Sequence, residues 1–469
     1  MYNIYTTEGC MSFIRKIKKG NNTYLAKVES IRENGKVKQK VIEYIGKEVN
    51  GKAVKKVSSD KIEIESVKSY MDIKVVHKVS EELGIPKILG EHSSQILTLV
   101  YSHLLTKRSI NKLEEWIGNT ELLEILGIEK ISTKELYEAL DHLNDLSFEE
   151  IEKSIRIEWE KIEKIKDVLV LDVTDTYFNG SQAEWKSRKG KDGKYDKLIQ
   201  IGLGVTFRNG FPLFHKQYEG NISNVKIFQD MLSDIRYSKY KCIIMDRGMS
   251  SKENIEEIKA CQLEAILGVR QSPKNQQEFL DCVSREEIYC KERQVQLKET
   301  AVYIKSFEYN GGKLIVVYNP ALEVVKREKY YSNKEVLEAD AKYLGYSLIY
   351  HNTTLDDKVV VKKYFEKDIV ERSFKQMKGV LSLRPIRVWL LKHVEAHIKI
   401  SYLSYCILSL LGFKLKSIDM SPIEALDKLR TSYKVHLKET SSNFEWEKVV
   451  TQSKIQNKIL DCVGVVYKN

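Results

Sequence analysis

The sequence predicts an α/β chain whose mixed-sheet core carries a β-rich insertion and follows a small β unit and an all-α domain. Three observations predict it. The 469 residues exceed one comfortable hydrophobic core, and at ~100–200 residues per domain they divide into several. Residues 167–269 run strand, strand, strand, helix, strand, helix, strand, so a meander gives way to strand and helix in alternation. Ahead of that stretch, residues 70–165 carry helical periodicity, which sets a helical domain apart from the sheet.

In chain order, the first element is a hairpin. Residues 23–46, TYLAKVESIRENGKVKQKVIEYIG, set Asn34-Gly35 between two alternating apolar runs, the pair that a two-residue turn with positive φ prefers. This gives a small β unit over residues 1–60. A helical domain spans 61–163, where Ser132/Glu135 and Ser147/Glu150 have capping-box spacing. Its basic residues could serve DNA binding, although plain packing is the commoner use of such helices. The core opens at 164. DVLVLDVTDTYF, LIQIGLGVTF and FPLFHKQYE read as strands, the last two joined at Asn209-Gly210. Asn221 to Ile235 reads as a helix, KCIIMD as a short buried strand, Ser250 to Ala260 as a helix capped at Ser250, and LEAILGV as a strand. Residues 271–352 hold the insertion, with a hairpin tipped by Asn310-Gly311 and then GYSLIYHN. Residues 353–415 complete the core with a helix through about Lys378 and an apolar helix from Lys392 to Leu411, and 416–469 form a polar tail.

A composition of 42% hydrophobic and 30% charged residues excludes long disorder. The net charge of +11, from 77 Lys and Arg against 66 Asp and Glu, favours a polyanionic partner. Seven scattered cysteines without a C-x-x-C pair exclude a zinc ribbon or disulfide framework and suit reduced thiols in the cytoplasm. The N-terminus lacks a signal-peptide apolar core. The best apolar stretch, Tyr402 to Phe413, is interrupted by Ser and too short to span a bilayer, so no membrane role is expected.

The candidate chemistry lies in three acids. Asp172 ends the run Val168-Leu169-Val170-Leu171, and Asp246 ends Ile243-Ile244-Met245. Charges that finish buried strands point to a polar site at the rim of a sheet. Asp175 is a rival to Asp172, but an offset of three puts it on the other side of an alternating strand. The third acid, Glu371, shares a helix face with Tyr364, Lys367, Lys375 and Lys378 at 3.6 residues per turn, while Ile369, Val370, Phe374 and Met377 serve the core. A solvated face of ion pairs has the same spacing, so the helix alone does not decide. Trp389, His393 and His397 beside the apolar helix read as packing residues.

With these residues in place, the chain resembles bacterial insertion-sequence transposases of the DDE (Asp-Asp-Glu) superfamily over roughly residues 165–410. The resemblance is closest to the branch with a β-rich insertion and a helix signature of Tyr, two residues, Arg, three residues, Glu, six residues, Lys. This chain supplies Tyr364, Lys367, Glu371 and Lys378 at those spacings, with Lys367 in place of the Arg. That replacement keeps the charge and loses a planar fork for phosphate. Asp172 matches the family's Asp-Val-Thr stretch, Asp246 its Asp-Arg-Gly-Met stretch, and Tyr218-Glu219-Gly220-Asn221 its turn after the third strand. The strand order likewise resembles the ribonuclease-H-like fold.

The resemblance implies a DNA transposase that cleaves insertion-sequence ends and transfers them into target DNA. Asp172, Asp246 and Glu371 would be its catalytic residues and metal ligands, an all-oxygen set suited to Mg²⁺ or Mn²⁺, two ions per site. Tyr364, Lys367, Lys375, Lys378, Arg384 and Arg387 would contact DNA. Double-stranded DNA and a second copy of the chain, as a homodimer in the synaptic complex, are the implied partners. Two alternatives stay open at this point: a catalytically silent DNA-binding relative, and a nuclease without strand transfer.

Overall fold

The computed structural model describes residues 12–20, 22–33, 36–49, 52–54, 61–163, 168–177, 187–189, 195–235, 240–270, 277–332, 342–380, 390–440 and 444–467. The chain forms two compact units, one from residues 1–67 and 434–450, the other from 68–433 and 451–468. The first unit opens with strands β1 (Ser12–Lys19), β2 (Asn22–Glu33), β3 (Lys36–Val49) and β4 (Lys52–Val54), an antiparallel sheet in that order. The β2–β3 hairpin pairs as far as Glu33 with Lys36, while Asn34-Gly35 itself lies outside the described residues. Strand β5 (Ile62–Ser69) follows.

In the second unit, helices α1 (Met71–Glu82), α2 (Ser93–Leu105), α3 (Thr133–Asp145) and α4 (Phe148–Ile162) fill the helical stretch. Ser132 and Glu135 make the capping box that their spacing predicts. Ser147 stands at the N-cap of α4 without a side-chain bond to it. The sheet then assembles from β6 (Val168–Tyr177), β7 (Ser187–Lys189), β8 (Tyr195–Thr206), β9 (Pro212–Glu219), β10 (Cys242–Met245) and β11 (Glu264–Val269), with helices α5 (Asn224–Ile235) and α6 (Lys252–Ala260) as the crossovers. β8 is antiparallel to β6 and β9, whereas β6, β10 and β11 run parallel. The order β9-β8-β6-β10-β11 is the ribonuclease-H-like one: a meander on one side of the first strand and two parallel strands on the other.

The insertion does not stand apart from this sheet. Its strands β12 (Gln294–Gln296), β13 (Ala301–Tyr309), β14 (Gly312–Tyr318) and β15 (Tyr346–His351) continue it, because β15 pairs antiparallel with β11 and β14 with β15. The result is a ten-stranded mixed sheet. Asn310 at φ 49° and Gly311 at φ 68° make the predicted tight turn between β13 and β14, a conformation in which a residue without Cβ carries no steric cost.

Helices α7 (Asp357–Phe365), α8 (Asp368–Lys375) and α9 (Leu391–Lys414) follow. The 24-residue α9 is longer than the apolar stretch read from the sequence and is long and apolar enough to cross a membrane. Its most apolar window is instead 72% buried inside the protein, against α1, α2 and α3, as the core helix. Trp159 of α4 stacks on Phe211 at 4.1 Å beside that core. The segment expected to be a tail is folded. It carries α10 (Pro422–Leu429), the hairpin β16 (Tyr433–Glu439) with β17 (Phe444–Val449), and α11 (Lys454–Val463). In the first unit β16 pairs with β17 and β5. Thr440 donates its amide to the Lys61 carbonyl, and Lys438 bridges Glu65 and Glu445.

Candidate active site

Parallel pairing brings the first two acids side by side. Leu171 is opposite Met245 in the β6–β10 ladder, so Asp172 and Asp246 are the next residues on strands about 4.8 Å apart. Their settings differ in one respect from the sequence reading. β10 stops at Met245, so Asp246 does end its strand, but β6 runs on to Tyr177 and pairs Asp172 with Leu203 of β8. Asp172 is therefore mid-strand and half-buried. Its Oδ1 accepts the Val173 amide at 2.8 Å. Asp175 is buried and three residues further along the same strand.

After Asp246 the chain turns, with the Met249 amide donating to the Asp246 carbonyl. Ser250 closes this turn by donating to the Arg247 carbonyl, and the cap of α6 is Ser251, whose Oγ accepts the Asn254 amide. The sequence reading had placed the cap one residue early, since two adjacent serines offer the same chemistry.

The expected single helix around Glu371 is broken. α7 ends at Phe365 and α8 starts at Asp368. Between them the Lys367, Ile369 and Val370 amides donate to the Tyr364, Glu366 and Lys367 carbonyls, three residues back rather than four. This tighter turn places Tyr364 and Lys367 together over Asp246. The buried Tyr364 hydroxyl donates to Asp246 Oδ1 at 3.2 Å. Lys367 Nζ lies 3.3 Å from the same oxygen, 3.6 Å from Glu371 Oε1 and 5.2 Å from the Tyr364 ring. One ammonium thus ties the acid on β10 to the acid on α8.

The electrostatics follow from this contact set. Burial pushes the Asp246 carboxyl up, but Lys367, the Arg247 amide and the Arg247 charge outweigh it and hold the group below its ordinary value. Asp246 is an anion at neutral pH. Burial, then the Asp246 charge, raise the Tyr364 phenol above its usual 10, so it stays protonated and donates. The Glu371 side chain is 61% exposed and the Lys367 side chain 14%, so the lysine sits beneath the two acids while their outer oxygens face solvent.

Room for Tyr364 comes from a residue absent from the sequence-based site. A Cβ on Gly268 of β11 would lie 2.0 Å from the Tyr364 hydroxyl and 3.0 Å from Arg247 Cγ. A lone glycine inside LEAILGV was the available signal, because strand glycines mark close approach.

Of the expected DNA contacts, Lys375 ends α8 exposed. Lys378 lies in the π-helical turn Gln376–Val380, while Arg384 and Arg387 lie outside the described residues. The Tyr364 hydroxyl is buried and donates to Asp246. As donors, three carboxylates suit a hard divalent cation, and the Lys367 ammonium shows that positive charge is accommodated between Asp246 and Glu371. Among the described residues, though, no group of three or more His, Cys, Asp or Glu is drawn close enough to hold a metal ion. The donor chemistry of the three acids nonetheless fits such a cation.

Two family models match the chain. The family described as Transposase DDE domain matches residues 163–407, and the one described as IS1634 family transposase, N-terminal domain matches residues 14–60. No curated protein matches the sequence. Among solved structures, the chain is similar to a cryo-EM structure of the piggyBac transposase synaptic complex with hairpin DNA, at 12% identity and a TM-score of 0.44, over 76% of this chain and 78% of that one. A likeness at that level carries no argument about site or mechanism.

Proposed function

The DDE-domain match spans more than half of the chain, so this protein belongs to the DDE transposase family, and from that premise we propose that Asp172, Asp246 and Glu371 form its reaction centre. A DDE transposase is an enzyme that acts on DNA phosphodiesters and uses a divalent metal. The observation that carries the assignment is the Lys367 bridge between Asp246 and Glu371, with Asp172 next to Asp246 across the β6–β10 ladder.

Asp172, Asp246 and Glu371 would hold the metal, which we take to be Mg²⁺ or Mn²⁺ as two ions. When bound, it supplies Lewis-acid activation of an attacking oxygen and neutralises the leaving oxygen. The chain's own residues do the rest. Tyr364 orients Asp246 by donating to Oδ1. Lys367, a compact point charge, holds Asp246 as an anion, links it to Glu371 and can exchange a carboxylate for a phosphate oxygen when DNA arrives. Lys375, Lys378, Arg384 and Arg387 would contact DNA, as the family resemblance implies. Water attacks the phosphodiester at the element's end, and the freed 3′-hydroxyl attacks target DNA. Both steps are in-line displacements at phosphorus, so one centre serves both.

Two further readings complete the proposal. Joining both ends of an element calls for a homodimer in the synaptic complex. The six described cysteines are free thiols, in keeping with work in the cytoplasm.

The test uses labelled element ends, a target plasmid and Mg²⁺ or Mn²⁺. Wild-type protein should nick and join the ends. Asp246→Asn and Glu371→Gln should each abolish both products while DNA binding persists. Full cleavage by either variant would overturn the assignment, and cleavage without joining by wild type would reduce the protein to a nuclease.

A further inference from the structure

The excess positive charge is unevenly placed. Residues 1–60 hold 13 Lys and Arg against 6 Asp and Glu, whereas residues 61–163 hold 13 against 21. The helical stretch is therefore acidic overall and repels a polyanion, while the short N-terminal segment packs its excess of 13 basic over 6 acidic residues into 60 positions.

Within that segment, register sorts the charges by face, since directly opposed residues share one side of an antiparallel sheet. On one face Arg15, Ala26 and Tyr44 are opposed across β1, β2 and β3, as are Ile17, Tyr24 and Lys47, and Lys19 lies two residues beyond Ile17. No described carboxylate falls on this side. Ala26 and Val28 form its buried floor, and Tyr44 stands 62% exposed above them. On the other face acids stand among the lysines: Lys27 is opposite Glu43, Glu29 is opposite Lys40, Lys16 pairs with Glu48, and Lys18 and Lys38 share that side. One side mixes its lysines with carboxylates, and the other is cationic with tyrosines between the charges.

We propose that the face carrying Arg15, Lys19 and Lys47, with Tyr24 and Tyr44, is a docking surface for the phosphate backbone of duplex DNA. The proposal rests on the reading of the protein as a DNA transposase and adds where the chain grips DNA outside the reaction centre. Arg15 gives one of its N–H groups to Gln39 at 2.7 Å and keeps others of its five donors for phosphate. Tyrosine hydroxyls and basic side chains are the usual partners of phosphate oxygens. These contacts hold and orient DNA without reading its sequence.

The experiment measures duplex DNA binding by the full-length protein in metal-free buffer over a range of salt. Arg15→Gln/Lys19→Gln/Lys47→Gln should weaken binding at least tenfold and make the slope of log affinity against log salt shallower by about 2 to 3, since each phosphate contact releases about 0.9 of a counterion. The charge-matched control, Lys18→Gln/Lys27→Gln/Lys40→Gln, removes the same number of charges from the opposite face and should change the slope far less. Equal effects from the two triples, or an unchanged slope for the first, would overturn the surface while leaving the transposase reading intact. Wild-type protein that fails to bind duplex DNA would overturn both.

Discussion

At the scale of single residues, the site turns on one oxygen. Asp246 Oδ1 receives both the Tyr364 hydroxyl and the Lys367 ammonium, so small displacements there reach the whole centre. Gly268→Ala would force Tyr364 aside, and DNA nicking should fall about a hundredfold, the usual cost of a ~1 Å misplacement of a reacting group. DNA affinity should hold. Normal nicking by this variant would show that the Tyr364 contact is dispensable. Tyr364→Phe removes the donor without adding bulk, and should cost about tenfold in nicking, in line with one hydrogen bond to a charged group. The spacing of Tyr364, Lys367 and Glu371 was legible in the sequence because helical periodicity is local. That Tyr364 would be buried on Asp246 was not, because Asp246 and Gly268 reach it from strands about a hundred residues away.

At the scale of elements, the core helix α9 carries a pH dependence. His397 is fully enclosed, its Nε2 has no hydrogen-bond partner among the described residues, and its ring meets His103 edge to face at 5.1 Å. Ser401 donates to the His397 carbonyl, so its oxygen accepts from His103 Nε2. Burial lowers His397 to about 4 and His103 well below its ordinary value. The unfolded chain, with histidines near 6.5, therefore binds more protons. Stability is fully present above pH ~6.5 and is lost as pH falls towards 4, by about 3 kcal/mol for His397. His397→Leu should flatten the pH dependence of the melting temperature over that interval; an unchanged profile would place the acid sensitivity elsewhere. The sequence reading left both histidines near α9, His393 and His397, to packing. His393 sits 2.9 Å from Asp141 of α3, so they do join helices. Element types were readable from periodicity and turn residues, as the Asn310-Gly311 hairpin and the Ser132/Glu135 box show. Pairing between elements was not, and neither the break before α8 nor the addition of β15 to β11 leaves a local signal.

At the scale of the whole molecule, the two units are each threaded from both parts of the chain. β16 and β17 belong with the N-terminal β segment, and α11 belongs with the helices. A chain ended at residue 432 would lose all three elements. Its melting temperature should drop, and proteases should cut within residues 12–69 at concentrations that spare the full chain. An equally resistant N-terminal segment would show that the first unit closes without β16. The overall basic charge suggested nucleic acid from composition alone. Composition could not say that the first 60 residues are basic and residues 61–163 acidic, or that register gathers the acids of β1 to β4 away from one face.

The β5–β16 pairing also sets a timetable. β5 leaves the ribosome about 380 residues before β17 does, which at roughly 5–20 residues per second is a wait of about 20 to 75 s. Throughout that interval the N-terminal segment presents an unpaired edge of the kind that recruits other strands. Fresh chains should therefore lean on chaperones during synthesis, and an element copy shortened by an early stop codon would produce a protein that never completes this sheet.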